Sequence, residues 1–433
     1  MTLNAPLNFF IYRVAKRLKF AGLAVAMAAV AALPAVAANA PATFFSGADV
    51  SGLISVEDFY STDSTGSYDR NILTARLRLD VLKLGKSERI GLHFDGRERM
   101  NLGQSDYSSS IANERVDIMN ADYTTETLYL AVGRLWPKEM PIERVDGINA
   151  VVKKGNHGFG LFGGYNPNPY TEAFTTEYTT AGAYYFYQKD ELGARLGFMH
   201  KGFKGRTDRQ YIYGEATYFP ANGFSLYSSA TVDIAQDIGG IKLTNGIVEL
   251  TYRPDHTKSI TFGYNQFRSF KLYESMDYAV DDSRQDAYYV SANYRLYDKY
   301  TLYGRVERQS RYYPDIDAAL ENAMIYGAGI NAVNLMGTGF NMDANVTLSD
   351  SYGSLHNTYS LQVDRLFVQT LQVITHISYT ANEYGTDNND NIWAYGAAGY
   401  LYLGDWSLSL ALDAEQGSYY SSKRAITRAS YKF

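Results

Sequence analysis

Six histidines, at positions 93, 157, 200, 256, 356 and 376, are the side chains best suited to proton transfer or metal ligation in this sequence. None stands at the helical spacing of an HExxH zinc motif. His93 and Asp95 come nearest to a site. Two residues apart on an alternating segment, they share one face and could touch a metal or an anion, but a hydrated polar pair is the simpler reading. The string Gly158-Phe159-Gly160-Leu161-Phe162-Gly163 satisfies G-x-G-x-x-G. That fingerprint grips a pyrophosphate only where it closes a strand and opens a helix. Here Tyr165-Asn166-Pro167-Asn168-Pro169 follows, so the glycines are read as strand positions that let the chain bend or a neighbour approach. No G-x-S-x-G elbow occurs. The absence of Cys removes a thiolate nucleophile, a thiolate zinc site, a disulfide framework and any haem-attachment motif. The sequence thus assigns no catalytic residue, metal site or cofactor, and the protein is read as no enzyme.

Composition narrows the class further. The formal net charge of −6 argues against a nucleic-acid binder, which would be basic. Tyr is abundant, at 39 of 433 residues, alongside Gly, Ser, Thr and Asn. A large dry helical core is therefore not expected. The first 37 residues read as a secretory signal peptide. Arg13, Lys16, Arg17 and Lys19 precede the apolar run Phe20 to Leu33, and Pro34 leads into Ala35-Val36-Ala37, an A-x-A cleavage pattern. Cleavage there removes four positive charges and takes the net charge from −6 to −10. Beyond Leu33 no apolar run is long enough for a transmembrane helix.

From Ala48 onward the dominant period is two. Leu73, Ala75, Leu77, Leu79 and Val81 alternate with Thr74, Arg76, Arg78 and Asp80; Ile90, Leu92 and Phe94 alternate with Arg89, His93 and Asp95. Leu371, Val373 and Ile377 alternate with Gln372 and His376, and Trp406, Leu408, Leu410 and Leu412 with Ser407, Ser409, Asp413 and Glu415. This is the pleat of a strand with one apolar and one wet face. A secreted sandwich or solenoid and a membrane barrel both produce it. About 22 such segments occur, with a range of 18–22. Tight turns, such as Gly155-Asn156-His157-Gly158 and Gly404-Asp405, take turns with longer connections at Ser61–Tyr68, Asn101–Ser110, Asn166–Thr175, Lys271–Ser283 and Ala381–Asn391. Tyr and Trp cluster near the expected strand ends, including Tyr184 with Tyr185 and Tyr288 with Tyr289, either as rings do at a headgroup layer or because aromatics favour strands.

The chain ends in Ala425-Ile426-Thr427-Arg428-Ala429-Ser430-Tyr431-Lys432-Phe433. Tyr431 and Phe433 at alternate positions of a final strand resemble the closing-strand assembly signal of Gram-negative outer-membrane β-barrels. The resemblance implies an all-β, antiparallel up-and-down transmembrane barrel in the bacterial outer membrane, porin-like and multi-pass. Its domains are then the signal peptide (1–37), a short periplasmic segment (38–47) and the barrel (48–433). Outer-membrane lipids and the barrel assembly machinery are the implied partners. Only about ten mature residues precede the first strand, too few for an N-terminal plug. Gly133-Arg134 with Asp146-Gly147 is similar to a GR…DG stretch of some porin-like and polysaccharide-export barrels, and Trp136, Pro137 and Pro141 between them suggest an ordered loop, either folded inward or packed as an ordinary surface loop. Pro314 to Met324 has a helix start and helix formers, predicting one short helix that caps or lines the pore.

Closing a barrel brings the first strands beside the last. Arg76, Arg78, His93, Arg97, Arg99, Arg424, Arg428 and Lys432, with Arg89, then form a basic arc on the lumen face. Asp80, Asp95, Asp413 and Glu415 are the acidic pore-lining residues, with Asp49 and Glu57 nearby. Two readings of the arc stand: wall charge that biases permeation toward anions, and an ion-pair ladder that braces the wall. For 18–22 strands the backbone diameter is roughly 35–45 Å. A barrel that wide is either a passive diffusion channel for ions and small hydrophilic solutes, constricted by loops, or a sheath around a partner. The second class includes a porin–cytochrome electron conduit and a polymer export pore. Homo-oligomers are compatible with either.

Overall fold

The computed structural model describes residues 47–433 apart from 67–68, 86, 103–112, 142–143, 235–239, 270–282, 313–320, 352–353 and 385–387. The expected signal peptide and nearly all of segment 38–47 lie outside the described residues. The strands are β1 (Asp49–Asp63), β2 (Arg70–Leu84), β3 (Ile90–Asn101), β4 (Glu114–Thr124), β5 (Leu128–Leu135), β6 (Val145–Lys154), β7 (His157–Tyr165), β8 (Tyr178–Lys189), β9 (Leu192–Phe203), β10 (Arg206–Tyr218) and β11 (Phe224–Asp233). They continue as β12 (Lys242–Asp255), β13 (Lys258–Arg268), β14 (Arg284–Leu296), β15 (Tyr300–Tyr312), β16 (Glu321–Ala332), β17 (Phe340–Ser351), β18 (Ser354–Val368), β19 (Leu371–Tyr384), β20 (Asn388–Leu403), β21 (Trp406–Gln416) and β22 (Ser421–Lys432).

Each strand pairs antiparallel with the next, and β1 pairs with β22 from Leu53 opposite Lys432 to Asp63 opposite Ser422. The 22 strands therefore make one sheet closed on itself. Closure removes the free edge that would otherwise expose a row of unpaired amides and carbonyls. One end carries tight connections, such as 155–156, 190–191 and 404–405; the other carries long ones, such as 136–144 and 166–177.

The two faces separate by chemistry. Met119, Val132, Ile148, Leu161, Leu196, Val248, Phe262, Leu302, Ile377, Leu408 and Leu410 share the outward phase and are exposed. The residues between them turn inward. Among the described residues no second sheet packs on Leu408 or Leu410, as a sandwich would require. An exposed apolar belt of this extent is unfavourable in water and favourable against hydrocarbon.

Four local expectations are corrected. Glu321 to Met324 belong to β16, paired with β15 through Arg311 opposite Glu321 and Arg308 opposite Met324. A continuous ladder outweighs the helix propensity of that short stretch, while 313–320 lie outside the described residues. Most of the connection expected at Ala381–Asn391 is strand, because β19 and β20 pair out to Tyr384 opposite Asn388. Ser61 to Asp63 likewise extend β1. The connections expected at Asn101–Ser110 and Lys271–Ser283 fall largely outside the described residues. The tyrosine doublets are not simple interfacial belts: Tyr184 and Tyr289 are buried on the lumen side, whereas Tyr185 and Tyr288 are exposed on the outer face.

Candidate permeation path

The inward face has three sectors, each set by the strand pleat. The first is the predicted arc. β22, β1, β2 and β3 are consecutive neighbours, so the arc is continuous in space. Much of it is neutralised locally. Arg76 clasps Asp95 through two bonds, Nε to Oδ1 at 2.7 Å and Nη2 to Oδ2 at 2.6 Å. Arg78 Nε donates to Asp80 at 3.2 Å, and Arg428 Nε donates to Glu57 at 2.9 Å. Asp413 receives Arg424, with His376 3.6 Å away, and Glu415 accepts from Ser422. His93 does not pair with Asp95. Its ring nitrogens lie 2.7 Å from Asp80 and 2.7 Å from Asp122, so it bridges β2 to β4. Arg89 donates to the Tyr123 hydroxyl, and Asp49 meets Lys83.

Arg97 is different. It stands directly between Arg76 on β2 and Arg115 on β4, and Arg99 follows on the same face. Among the described residues, Arg97, Arg99 and Lys432 form no ion pair. The arc is thus braced at Arg76, Arg78, Arg424 and Arg428, while Arg97, Arg99 and Lys432 stand without an ion-pair partner among the described residues.

The second sector was not foreseen. Val145 and Val151 of β6, Phe162 of β7, Tyr184 of β8, Met199 of β9, and Tyr211 and Tyr213 of β10 form a buried apolar cluster on the lumen side. Met140, from the connection 136–144, completes it. This connection does fold inward: Met140 lies where a side chain at Gly197 would otherwise sit, and Pro137 is fully buried. Tyr184 donates to Asn149 at 2.9 Å. The G-x-G-x-x-G string supplies flat strand positions here, with Gly158 under the Phe186 ring and Gly160 under the Tyr184 ring. A signal was present in β7, where Phe159 and Leu161 face out while Phe162 faces in: a strand apolar on both faces has something to cover on both.

The third sector lies across the lumen, on β10 to β17. Tyr213 donates to Glu215 at 2.6 Å, Tyr303 to Asp343 at 2.9 Å, and Tyr289 to Glu249. Arg305 pairs with Glu307 at 2.5 Å and lies over the Tyr289 ring. These carboxylates are far in sequence from the termini and escape a search for charge near the closing strands.

Every spanning segment among the described residues is a strand of one closed sheet, apolar toward the outside and largely polar toward the inside, which is the strand-built solution to crossing a membrane. The protein is a closed antiparallel β-barrel with the apolar exterior of a membrane-spanning one. No family model matches the chain, and no curated protein matches it. Among solved structures the barrel is similar to OpdO of Pseudomonas aeruginosa, at 12% identity over 90% of this chain and 98% of that one, TM-score 0.46. It is also similar to OpdK of Pseudomonas aeruginosa, solved with vanillate, at 9% identity over 90% and 99%, TM-score 0.47. The translocation pore of the P pilus usher PapC matches at 10% identity over 88% and 99%, TM-score 0.48.

Proposed function

We propose that the barrel is a passive channel for ions and small hydrophilic solutes, with a bias toward anions. The carrying observation is the row Arg76, Arg97 and Arg115 on three adjacent strands of the lumen wall, in which Arg97 forms no ion pair among the described residues. A fixed positive charge on a pore wall raises the local concentration of anions and repels cations. The inward connection at Met140 supports the same reading, because a wide barrel must be narrowed before wall charge can act on ions within a Debye length of roughly 8–10 Å.

Planar-bilayer recordings of the purified barrel under a KCl gradient test this. Discrete conductance steps with a reversal potential on the chloride side are expected, and replacing Arg97 and Arg99 with Ser should shift that potential toward zero. Absence of conductance, or a cation preference that these replacements leave unchanged, would overturn the proposal.

A further inference from the structure

The wall is not equally continuous all the way round. β4 is paired with β3 up to Glu98 opposite Glu114, but with β5 only from Thr124 to Met119, which stands opposite Arg134. β5 ends one residue later, at Leu135, and the following connection turns into the lumen. Among the described residues, 114–118 of β4 therefore border no strand on their β5 side.

Side chains close this gap instead. Arg134 is only 9% exposed; its Nη1 donates to the Val116 carbonyl at 2.9 Å and to the Glu172 carbonyl at 3.0 Å, while Nε and Nη2 clasp Asp146 at 2.6 Å each. Glu172 comes from the connection 166–177, and its carboxylate reaches Arg115 at 3.1 Å and Arg144. Arg144 also meets Asp117 at 3.2 Å. A tight turn presents Glu172: its own amide donates to the Asn168 carbonyl, the Asn168 side chain accepts from the amides of Tyr170 and Thr171, and Glu172 itself adopts φ 58°. Three guanidiniums crowd this point, and burial with the proximity of Arg115 and Arg134 pushes the Arg144 guanidinium down to about 10.

The same seam has an outer side. Met119, Val132 and Ile148 floor a groove on the lipid-facing surface, and Tyr170 and Phe174 stand over it. On the lumen side, Arg115 is opposite the unpaired Arg97. An apolar groove outside and guanidiniums inside are thus joined by a stretch of wall held with ion pairs rather than a ladder.

We propose that this seam is a lateral binding site for a single-chain anionic amphiphile, a long-chain alkyl carboxylate. Its carboxylate takes the place of the Glu172 carboxylate on Arg115, with Arg97 adjacent, and its chain lies in the groove over Val132 and Ile148. The exchange keeps a carboxylate on Arg115, and Glu172 retains Arg144, so no guanidinium of the cluster is left without an anion. The single negative charge and single chain match a gap bounded by one unpaired strand edge. The site presupposes the membrane barrel but not its conductance.

The test is photolabelling of the full-length barrel with a diazirine-bearing dodecanoate, read by peptide mapping, beside the uncharged dodecanol probe. Dodecanoate label should concentrate on 113–119, 132–136, 144–148 and 170–174. Arg115→Gln should cut that label roughly tenfold, the scale of one charge-assisted hydrogen bond. Val132→Trp with Ile148→Trp should also abolish it, while channel conductance stays as in the parent protein. Dodecanoate label spread evenly around the barrel belt would overturn the proposal. Equal labelling of the seam by dodecanol would overturn it too, by showing an apolar groove without carboxylate recognition. Folded Glu172→Gln barrel, verified by its heat-dependent gel mobility, should label more strongly, because the internal competitor is weakened.

Discussion

The ring of Phe433 fills the space that a side chain at position 52 would take. The two residues also exchange backbone bonds, Gly52 N to Phe433 O at 2.9 Å and Phe433 N to Gly52 O at 3.2 Å, just beyond the last paired residues of β1 and β22. Tyr431 stacks beside Phe433, and Trp406 lies against Tyr431. Closure of the barrel thus depends on a bare α-carbon opposite a terminal ring. Gly52→Val should lower stability to urea in lipid vesicles by about 1–3 kcal/mol, as overpacking does. Adding Phe433→Ala to that variant should return part of the loss. A Gly52→Val barrel as stable as the parent would contradict this account.

Arg76 and Arg97 lie directly opposite each other yet should respond differently to removal. Arg76→Ser strands Asp95, which is 5% exposed, without its two-bond partner. With Arg76 itself nearly half exposed, the loss is about 1–3 kcal/mol rather than the full cost of a buried unpaired charge. Arg97→Ser removes no ion pair and should change stability by less than about 0.5 kcal/mol. Both should reduce chloride preference by similar amounts. Urea midpoints set beside reversal potentials separate the two roles; an Arg97→Ser variant as unstable as Arg76→Ser would show that Arg97 also braces the wall.

The fold was readable because a one-residue slip in any strand would swap its faces, so the alternation of Leu77 and Leu79 with Arg76 and Arg78 fixes orientation strand by strand. The C-terminal aromatics and the alternation of short and long connections then give topology. The lumen was less readable. His93 pairs with Asp122, 29 residues away, rather than with Asp95 on its own strand, because register across β2, β3 and β4 decides the partner. Met140 in the lumen and Glu172 across the β4 edge depend on where connections fold, and periodicity carries no information about that. Arg134 was legible as a residue of interest but not as an outward-phase side chain, since its partner Asp146 is set by the pairing of β5 with β6.

Asp233 is fully buried and should be the most sensitive carboxylate among these lumen-wall groups. It accepts from Arg209 Nε at 2.5 Å and Nη2 at 2.9 Å, and from the Thr244 hydroxyl at 2.5 Å. Thr244 is the residue passed over by the register shift between β11 and β12, so the triad secures an irregular point in the ladder. Asp233→Ala leaves a mostly buried guanidinium and should cost about 3–5 kcal/mol. Thr244→Val removes one bond to a charged acceptor and should cost about 1.5–3 kcal/mol. Urea unfolding of the two variants gives the order; a larger loss for Thr244→Val would place the strain in the bulge rather than in the buried charge.

Gly197 and Met140 offer the most direct control of the lumen cross-section. Met140 is 5% exposed and occupies the position that a β-carbon on Gly197 would need, while Tyr184 and Met199 wall the same cluster. Gly197→Val should therefore expel Met140 and with it the connection 136–144, whose Pro137 is anchored by burial. The expected result is a larger single-channel conductance with a weaker chloride preference, because a wider lumen lets ions pass farther from Arg97 and Arg99 than a Debye length of roughly 8–10 Å. Shortening the displaced side chain in the double variant Gly197→Val with Met140→Ala should bring conductance back toward the parent value. Contacting residues of this kind couple by about 0.5–3 kcal/mol, so the four conductances should not combine additively. If Gly197→Val leaves conductance unchanged, the connection at Met140 does not narrow the path, and the constriction must be sought in another sector.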